Sequence, residues 1–192
     1  MNSDVFENGE SIRKFCLENR ITIAEAMQRR EEYLSEMTRA EIRAEMYKNL
    51  VVMRDSVRKG LSERVESVSG FSGGEAMRLF RYAKLTPFSG INACRAAASA
   101  MAVVEVNASM GCIVAAPTAG ASGILAGVLI ECGHERGWSD DQLVDALFTA
   151  GAVGLLFAKN ATISGAGGGC QAETGVAAAM AGMLARGADQ IV

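Results

Sequence analysis

Apolar side chains recur at helical spacing along the first third of the chain, between polar and charged positions. The recurring positions are Ile23, Met27, Leu34 and Met37, followed by Ile42, Met46, Leu50, Met53 and Val57. Each series follows a threonine that has a glutamate three residues later, as in the capping boxes that begin helices: Thr22 with Glu25, and Thr38 with Glu41. The pattern predicts two helices, of which the second stops near Gly60.

Small residues dominate from residue 90 onward, where alanines recur along the next predicted helix. Ser139 and Gln142 form a third capping pattern, for a helix that runs to about Lys159, and another helix covers about 171–185. Residues 112–116 suit a short buried extended piece, but runs of alternating β-branched residues are few. The fold class is therefore predicted as mainly α, a compact bundle-like set of helices joined by glycine-rich turns.

The composition changes near Pro87, which with Thr86 ends a helix predicted from Ser72 to about Ala83. Most charged residues precede Pro87 and most glycines follow it. The chain is thus divided into a charged helical region, 1–86, and a small-residue region, 87–192, in which we expect the chemistry. The net charge is only −3 and no basic stripe is present, so nucleic acid is not expected as a partner.

Cysteine usage and the start of the chain indicate a cytoplasmic protein. The five cysteines are an odd number and widely spaced, which does not suit a disulfide framework. The first residues carry neither an apolar run nor a cleavage site for secretion. An uncharged stretch from Val106 to Ile130 is long enough to span a bilayer. Because Pro117 interrupts it, a buried helix–turn–helix is the simpler interpretation, and no membrane partner is expected.

Cys170 is the leading candidate for chemistry because four glycines lie in the five residues before it and Gln-x-Glu follows it. Glycine lets a backbone approach closely and adopt positive φ. A helix starting just after Cys170 would direct its N–H groups and positive dipole end at the sulfur, which favours the thiolate. A buried, inert thiol is the alternative interpretation.

A second candidate site lies in the segment 115–124, where Pro117-Thr118 precedes a run of small residues. A helix starting near Gly120 would present free N–H groups, which suit a substrate carboxylate. A tight turn between helices is the alternative. The single histidine, His134, lies in a polar segment that predicts a loop, and without a second histidine the chain cannot form a multi-histidine metal site.

These segments resemble the iron–sulfur-dependent L-serine dehydratases, specifically the α chain of the two-subunit bacterial form. The match runs from about residue 89 to the end and is strongest at 116–121, 160–165 and 169–173. It implies a mainly helical subunit that carries a [4Fe–4S] cluster and converts L-serine to pyruvate and ammonia. By the resemblance Cys170 is the first cluster ligand. The candidate substrate-binding residues are Thr118, Ala119, Gly120, Asn160 and Ser164, and the base that removes the α-proton is unassigned.

Two parts of the family pattern are missing from this sequence. The other two ligand cysteines of the family lie in a Cys-Asp-Pro…Pro-Cys stretch downstream, whereas this sequence stops at Val192. The family's Ser-Ser-His-Thr segment lies on a separate β chain. We therefore expect a truncated chain, an obligate β-subunit partner, and no turnover of serine by the chain without the downstream cysteines.

A different class of enzyme shares one tripeptide with this chain. Ala121-Ser122-Gly123 is the sequence that cyclises to methylidene-imidazolone in the aromatic amino-acid ammonia-lyases, which are helical enzymes that release ammonia. Those enzymes need tyrosines at the site, and the three tyrosines here all precede Pro87. A helical packing or membrane protein without catalysis is the remaining alternative.

Overall fold

Helices make up most of the fold, as the computed structural model of residues 6–85 and 87–186 shows. The α-helices, in chain order, are α1 (Gly9–Asn19), α2 (Ile23–Ser35), α3 (Arg39–Ser62), α4 (Glu75–Tyr82), α5 (Ile91–Ala108), α6 (Ser122–Arg136), α7 (Asp140–Asn160), α8 (Gly165–Gly168) and α9 (Cys170–Arg186). Short 3₁₀ turns cover Ala83–Leu85 and Ala119–Ala121. Within the described residues the only β contact is an isolated bridge between Glu66 and Gly73. The mainly α prediction is confirmed.

Side-chain caps begin the helices where the sequence pattern places them. The Ser139 hydroxyl accepts the Gln142 N–H while the Gln142 side chain accepts the Ser139 N–H, which forms a complete capping box. Thr38 and Glu41 form the same arrangement: the Thr38 hydroxyl accepts the Glu41 N–H, and the Glu41 side chain accepts the Thr38 N–H. Thr22 accepts the Glu25 N–H at 3.2 Å. These predicted helix starts are confirmed, because each cap satisfies N–H groups that have no partner in the first turn.

Two predicted helix ends are wrong, and packing explains the first. Helix α3 continues through Gly60 to Ser62. The glycine is required for helix packing and not for a helix end, because a Cβ at position 60 would lie 2.6 Å from the Ala102 Cα. That glycine therefore permits close approach to α5. His134 lies in the last turn of α6, not in a loop, and the helix stops at Gly137 with φ 64°.

The connection between α5 and α6 differs in part from the predicted buried extended piece. Residues 111–115 have no regular secondary structure, and Cys112 is exposed, whereas Ala116 is buried. Helix α4 ends at Tyr82, one residue before the predicted end, and a 3₁₀ turn follows. Of the predicted break at Thr86–Pro87, Thr86 lies outside the described residues.

The chain divides into two compact units, and the first contains Met1–Lys48 and Trp138–Val192. In this first unit α7 packs on α2 and on α9. The Arg43 guanidinium ties α3 to the start of α7 by ion pairs with Asp141, at 2.9 Å, and with Asp145. Gln28 of α2 donates to the same Asp145 carboxylate at 3.0 Å. This network holds the start of α7 against α2 and α3.

The second unit is Asn49–Gly137, in which α5 packs on α6 and on α4. The α5–α6 contact depends on small residues: a Cβ on Gly123 would lie 2.2 Å from the Ala100 carbonyl oxygen. A Cβ on Gly127 would lie 2.7 Å from the Ala96 carbonyl oxygen. The predicted pair of helices across 106–130 is confirmed, but the connection between them is not buried as predicted, since Met110 is 84% exposed. The division into 1–86 and 87–192 concerns composition and stays a prediction.

One described helix, α7, is long and apolar enough by composition to cross a membrane, with a mean hydropathy of 1.4 over its most apolar window. Its contacts in the first unit are with α2 and α9, and 44% of that window is buried. Core helices of globular proteins have the same composition. The expectation of no membrane partner stays a prediction.

Candidate functional site

The first candidate segment is the turn that leads into α6, in the second unit. A cis peptide bond joins Ala116 to Pro117, and the 3₁₀ turn Ala119–Ala121 precedes the helix. Helix α6 begins at Ser122, slightly later than the predicted start near Gly120. The buried Ser122 hydroxyl donates to the Ala119 carbonyl at 2.8 Å and so closes the turn. Ala119 and Gly120 remain exposed at the surface of the turn.

Thr118 carries an unsatisfied polar atom at the start of this turn. Its Oγ1 is buried, and no hydrogen-bond partner for it exists among the described residues. Thr118 also precedes the 3₁₀ turn without capping it through its side chain. A hydroxyl supplies one donor and two acceptor positions. Because an unpaired buried hydroxyl costs free energy, this atom is suited to a ligand that completes its bonding.

The second candidate segment joins α7 to α9 in the first unit and contains Asn160 and Ser164. The Asn160 amide nitrogen donates to the carbonyls of Leu156, at 2.9 Å, and Glu7, at 2.7 Å. Both amide hydrogens are therefore used in holding the chain, and the side-chain oxygen is the atom suited to a ligand. The Ser164 hydroxyl accepts the Gly167 N–H at 3.1 Å and caps α8.

Glycines in this segment are required by close contacts. A Cβ on Gly165 would lie 2.8 Å from the Glu173 Oε2, and a Cβ on Gly168 would lie 2.5 Å from the Thr162 Cγ2. Gly169 has φ +76°, in the left-handed region that favours glycine. The segment folds tightly between α7 and α9 because these positions lack side chains.

Cys170 is the first residue of α9 and is exposed as a free thiol. Its exposure contradicts the alternative interpretation of a buried, inert thiol. The helix begins at Cys170 itself, so the sulfur lies beside the N-terminal turn, where the helix dipole favours negative charge. A thiolate in this position is a suitable metal ligand.

Comparison with known proteins identifies the family to which these two segments belong. The family model described as serine dehydratase alpha chain matches residues 18–187, which include both candidate segments. The chain belongs to the serine dehydratase alpha chain family. Its resemblance to the two-subunit form, inferred from the motifs around Thr118 and Cys170, is thereby confirmed.

Three relatives show the extent of the similarity to this family. The probable L-serine dehydratase alpha chain of Bacillus subtilis (strain 168) is 41% identical over 178 residues, which are 92% of this chain and 59% of the relative. The L-serine dehydratase alpha chain of Peptoniphilus asaccharolyticus is 36% identical over 167 residues, 86% of this chain and 57% of the relative. The L-serine dehydratase of Mycobacterium tuberculosis (strain CDC 1551 / Oshkosh) is 54% identical over 86 residues, 43% of this chain and 19% of the relative. The chain thus spans less than two thirds of the length of the first two relatives.

One thiol among the described residues, that of Cys170, lies where the family resemblance implies a ligand of a metal centre. No group of three or more histidine, cysteine, aspartate or glutamate side chains in residues 6–85 and 87–186 is arranged to hold a metal ion. Iron–sulfur clusters are held by thiolates from several positions. The exposed Cys170 fits the part of a single ligand, but the residues described do not form a complete ligand set.

The structure distributes the predicted site residues of this family member over both units. Thr118, Ala119 and Gly120 belong to the second unit, and Asn160, Ser164 and Cys170 belong to the first. Sequence patterns missed Glu105, a buried carboxylate on α5 that accepts N–H groups from the start of α4. The sequence feature that could have indicated its role is that Glu105 is a single charged residue within a stretch of alanine and valine.

The thiols of this chain should differ in reactivity according to their exposure. We expect Cys112 and Cys170, both exposed, to react rapidly with a disulfide reagent at pH 8, and the buried Cys16 and Cys94 to react slowly. Burial raises the pKa of the Cys16 thiol and of the Cys132 thiol, so both hold less thiolate at that pH. Mass spectrometry of timed, quenched samples identifies the order of labelling. Labelling of Cys16 before Cys170 would contradict this arrangement.

Proposed function

We propose that this chain forms part of an enzyme that converts L-serine to pyruvate and ammonia. The observation that carries the proposal is the family match over residues 18–187, together with an exposed Cys170 at the end of a glycine-rich turn. The relatives named above are L-serine dehydratases or their alpha chains. None of the contacts around Ser122 favours the methylidene-imidazolone alternative, because Ser122 and Gly123 begin a regular helix packed against α5.

We propose that Cys170 is one ligand of a [4Fe–4S] cluster. Such a cluster, when bound with one iron open, supplies a Lewis acid for the hydroxyl group that leaves serine. The other ligands would come from polypeptide outside the described residues. The contribution of this chain is to present the Cys170 sulfur at the surface, beside the free N–H groups of the first turn of α9.

Residues of both motifs are proposed to bind the substrate. In the second unit, the Thr118 hydroxyl and the backbone of Ala119 and Gly120 suit a carboxylate, because the hydroxyl is unsatisfied and the turn leads into a helix N-terminus. In the first unit, the Asn160 side-chain oxygen is suited to accept a hydrogen bond, and Ser164 holds the glycine-rich turn in shape. The base that removes the α-proton stays unassigned.

The partners that we propose are L-serine and a β subunit in the cytoplasm. The family's alpha-chain designation supports a second subunit. The single histidine here, His134, lies exposed in the last turn of α6, at the other end of that helix from the turn Ala119–Ala121. Histidine-dependent steps would therefore depend on the partner.

A chimaeric enzyme tests the proposed function directly. Residues 1–186 of this chain would replace the matching part of the Bacillus subtilis alpha chain and be expressed anaerobically with the β chain of that enzyme. We expect serine-dependent formation of pyruvate and ammonia in equal amounts, together with bound iron and sulfide. A chimaera that binds iron and sulfide but leaves serine unchanged would refute the proposed reaction.

Replacing Thr118 by valine should affect serine binding and the stability of the fold in different ways. Valine matches threonine in shape and removes the unsatisfied hydroxyl, so we expect the free energy of unfolding to stay equal or rise by up to about 1 kcal/mol. In the chimaera, KM for serine should rise by about tenfold because a hydrogen bond to a charged group is lost. Urea unfolding and initial rates measure the two effects. An unchanged KM would remove Thr118 from the site.

Ser122→Ala is the matched control for that variant. The Ser122 hydroxyl already donates to the Ala119 carbonyl, so its loss should lower the free energy of unfolding by about 1 kcal/mol. KM should change less than in Thr118→Val, because this hydroxyl is not available to a ligand.

A further inference from the structure

A cavity of about 340 Å³ opens in the second unit, lined by α5, by the start of α4, by the 3₁₀ turn that contains Gly120 and by the start of α6. Its walls are mainly apolar and include Met101, Val104 and Ile124. Two carboxyl groups, those of Glu75 and Glu105, also line it. This volume lies within the range of small-molecule sites, which are typically apolar with a few polar groups that orient the ligand.

The Glu105 carboxylate is buried, with 7% of the residue exposed, and is held in place by the backbone. Its two oxygens accept the N–H groups of Gly74, at 3.1 Å, and Ala76, at 2.8 Å. A carboxylate has about four acceptor positions, so acceptor capacity remains on both oxygens. Among the described residues no ion pair joins Glu105 to a cationic side chain within 4 Å.

The Glu75 carboxylate completes an acidic end of the cavity. It accepts the Gly73 N–H at 2.7 Å, and this backbone hydrogen bond is the main reason that the pKa of Glu75 is lowered. Arg78 pairs with it at 2.9 Å, but both side chains are partly exposed, so this pair is weak and exchangeable. The Glu105 carboxylate accepts the N–H of Gly74, the residue after Gly73, so the backbone holds the two carboxyl groups close together.

Two carboxylates held close together repel each other, and a cation between them relieves that repulsion. Arg78 is the one cationic side chain paired with either carboxylate in the part of the chain described, and 72% of its side chain is exposed. No lysine, arginine or histidine is among the described residues that line the cavity. The polar end of the cavity therefore suits a positive group, and the remaining walls suit hydrocarbon.

We propose that this cavity binds a primary ammonium ion that carries a medium-sized apolar chain. The ammonium group would donate to Glu75 and Glu105, and the chain would lie against Met101, Val104 and Ile124. L-Serine lacks the apolar chain, so this ligand class differs from the proposed substrate. The site is independent of cluster assembly, because no residue of the glycine-rich segment before Cys170 lines the cavity.

Titration of the 192-residue chain with three six-carbon probes tests the proposal without any turnover. Isothermal calorimetry would compare hexylammonium, 1-hexanol and hexanoate at low ionic strength. We expect saturable one-to-one binding of hexylammonium, about tenfold or more tighter than 1-hexanol, because charge-assisted hydrogen bonds add to the apolar contact. Hexanoate should bind most weakly. Equal affinities for hexylammonium and hexanol, or an absence of saturable binding, would overturn the proposal.

Two variants assign the binding to this cavity. Glu75→Gln keeps an acceptor for the Gly73 N–H. It should weaken the binding of hexylammonium by about tenfold and leave the affinity for 1-hexanol unchanged. Val104→Phe enlarges a side chain that is 47% exposed and lines the cavity, so it should weaken both probes. Glu66→Gln, which removes an exposed pair with Arg64 outside the cavity lining, is the control and should change neither affinity. Unchanged hexylammonium binding in Glu75→Gln and Val104→Phe would place the ligand elsewhere.

Discussion

Replacing Cys170 by serine in the anaerobic chimaera should lower serine-dependent pyruvate formation by about 1000-fold or more. The expected loss is large because the proposal assigns the Cys170 sulfur as a ligand of the group that activates the leaving hydroxyl. Serine preserves the size of the side chain, and the position is exposed, so the fold should be retained. Initial rates of pyruvate formation and the iron and sulfide content per chain measure the effect.

Cys112→Ser is the matched control for Cys170→Ser. Cys112 is also an exposed free thiol, but it lies in the irregular segment after α5 and outside both family motifs. We expect wild-type iron content and rate from this variant. If Cys170→Ser retained full iron and sulfide and full activity, the ligand assignment would be wrong although the family membership would stand.

Adding a single methyl group at Gly123 should lower the free energy of unfolding by about 3 kcal/mol. In Gly123→Ala the new Cβ would lie 2.2 Å from the Ala100 carbonyl oxygen, which belongs to the backbone of α5 and has no flexible end that can move away. Helices α5 and α6 must separate to admit it, and the apolar contacts between them are weakened. Urea unfolding followed by circular dichroism gives the change.

Gly182→Ala in α9 is the matched control for this substitution. Gly182 is exposed, and no atom outside its own stretch of helix lies within 4 Å of the position that a Cβ would take. Alanine there should stabilise the protein by about 0.5–1 kcal/mol, because glycine is the poorer helix former. If both substitutions changed the free energy of unfolding equally, the close packing of α5 on α6 would not be the cause of the loss at Gly123.

Helix positions and several helix starts could be predicted from local chemistry. Thr22, Thr38 and Ser139 cap the first turns through bonds that span only three residues, so neighbouring sequence is sufficient to specify them. The sequence also indicated close backbone approach and a positive φ before Cys170, and Gly169 has φ +76°. The glycines there are needed for contacts within the same segment, with Thr162 and Glu173.

The error at Gly60 occurred because a distant segment decides the role of that residue. Gly60 looked like a helix stop, but it lies inside α3 because its missing side chain makes room for Ala102 on α5. His134 looked like part of a loop, because a polar stretch does not reveal that α6 continues to Arg136. Periodicity describes one helix at a time and contains no information about its neighbour.

The sequence by itself determined the mainly helical class, the caps, the family motifs and Cys170 as the candidate ligand, because these depend on short-range bonds and on residues close together in the chain. Only the tertiary structure showed that the Thr118 hydroxyl is buried without a partner and that the Glu105 carboxylate lines a cavity with Glu75. Burial and the pairing of polar atoms depend on side chains contributed by separate helices, so they are decided when those helices pack.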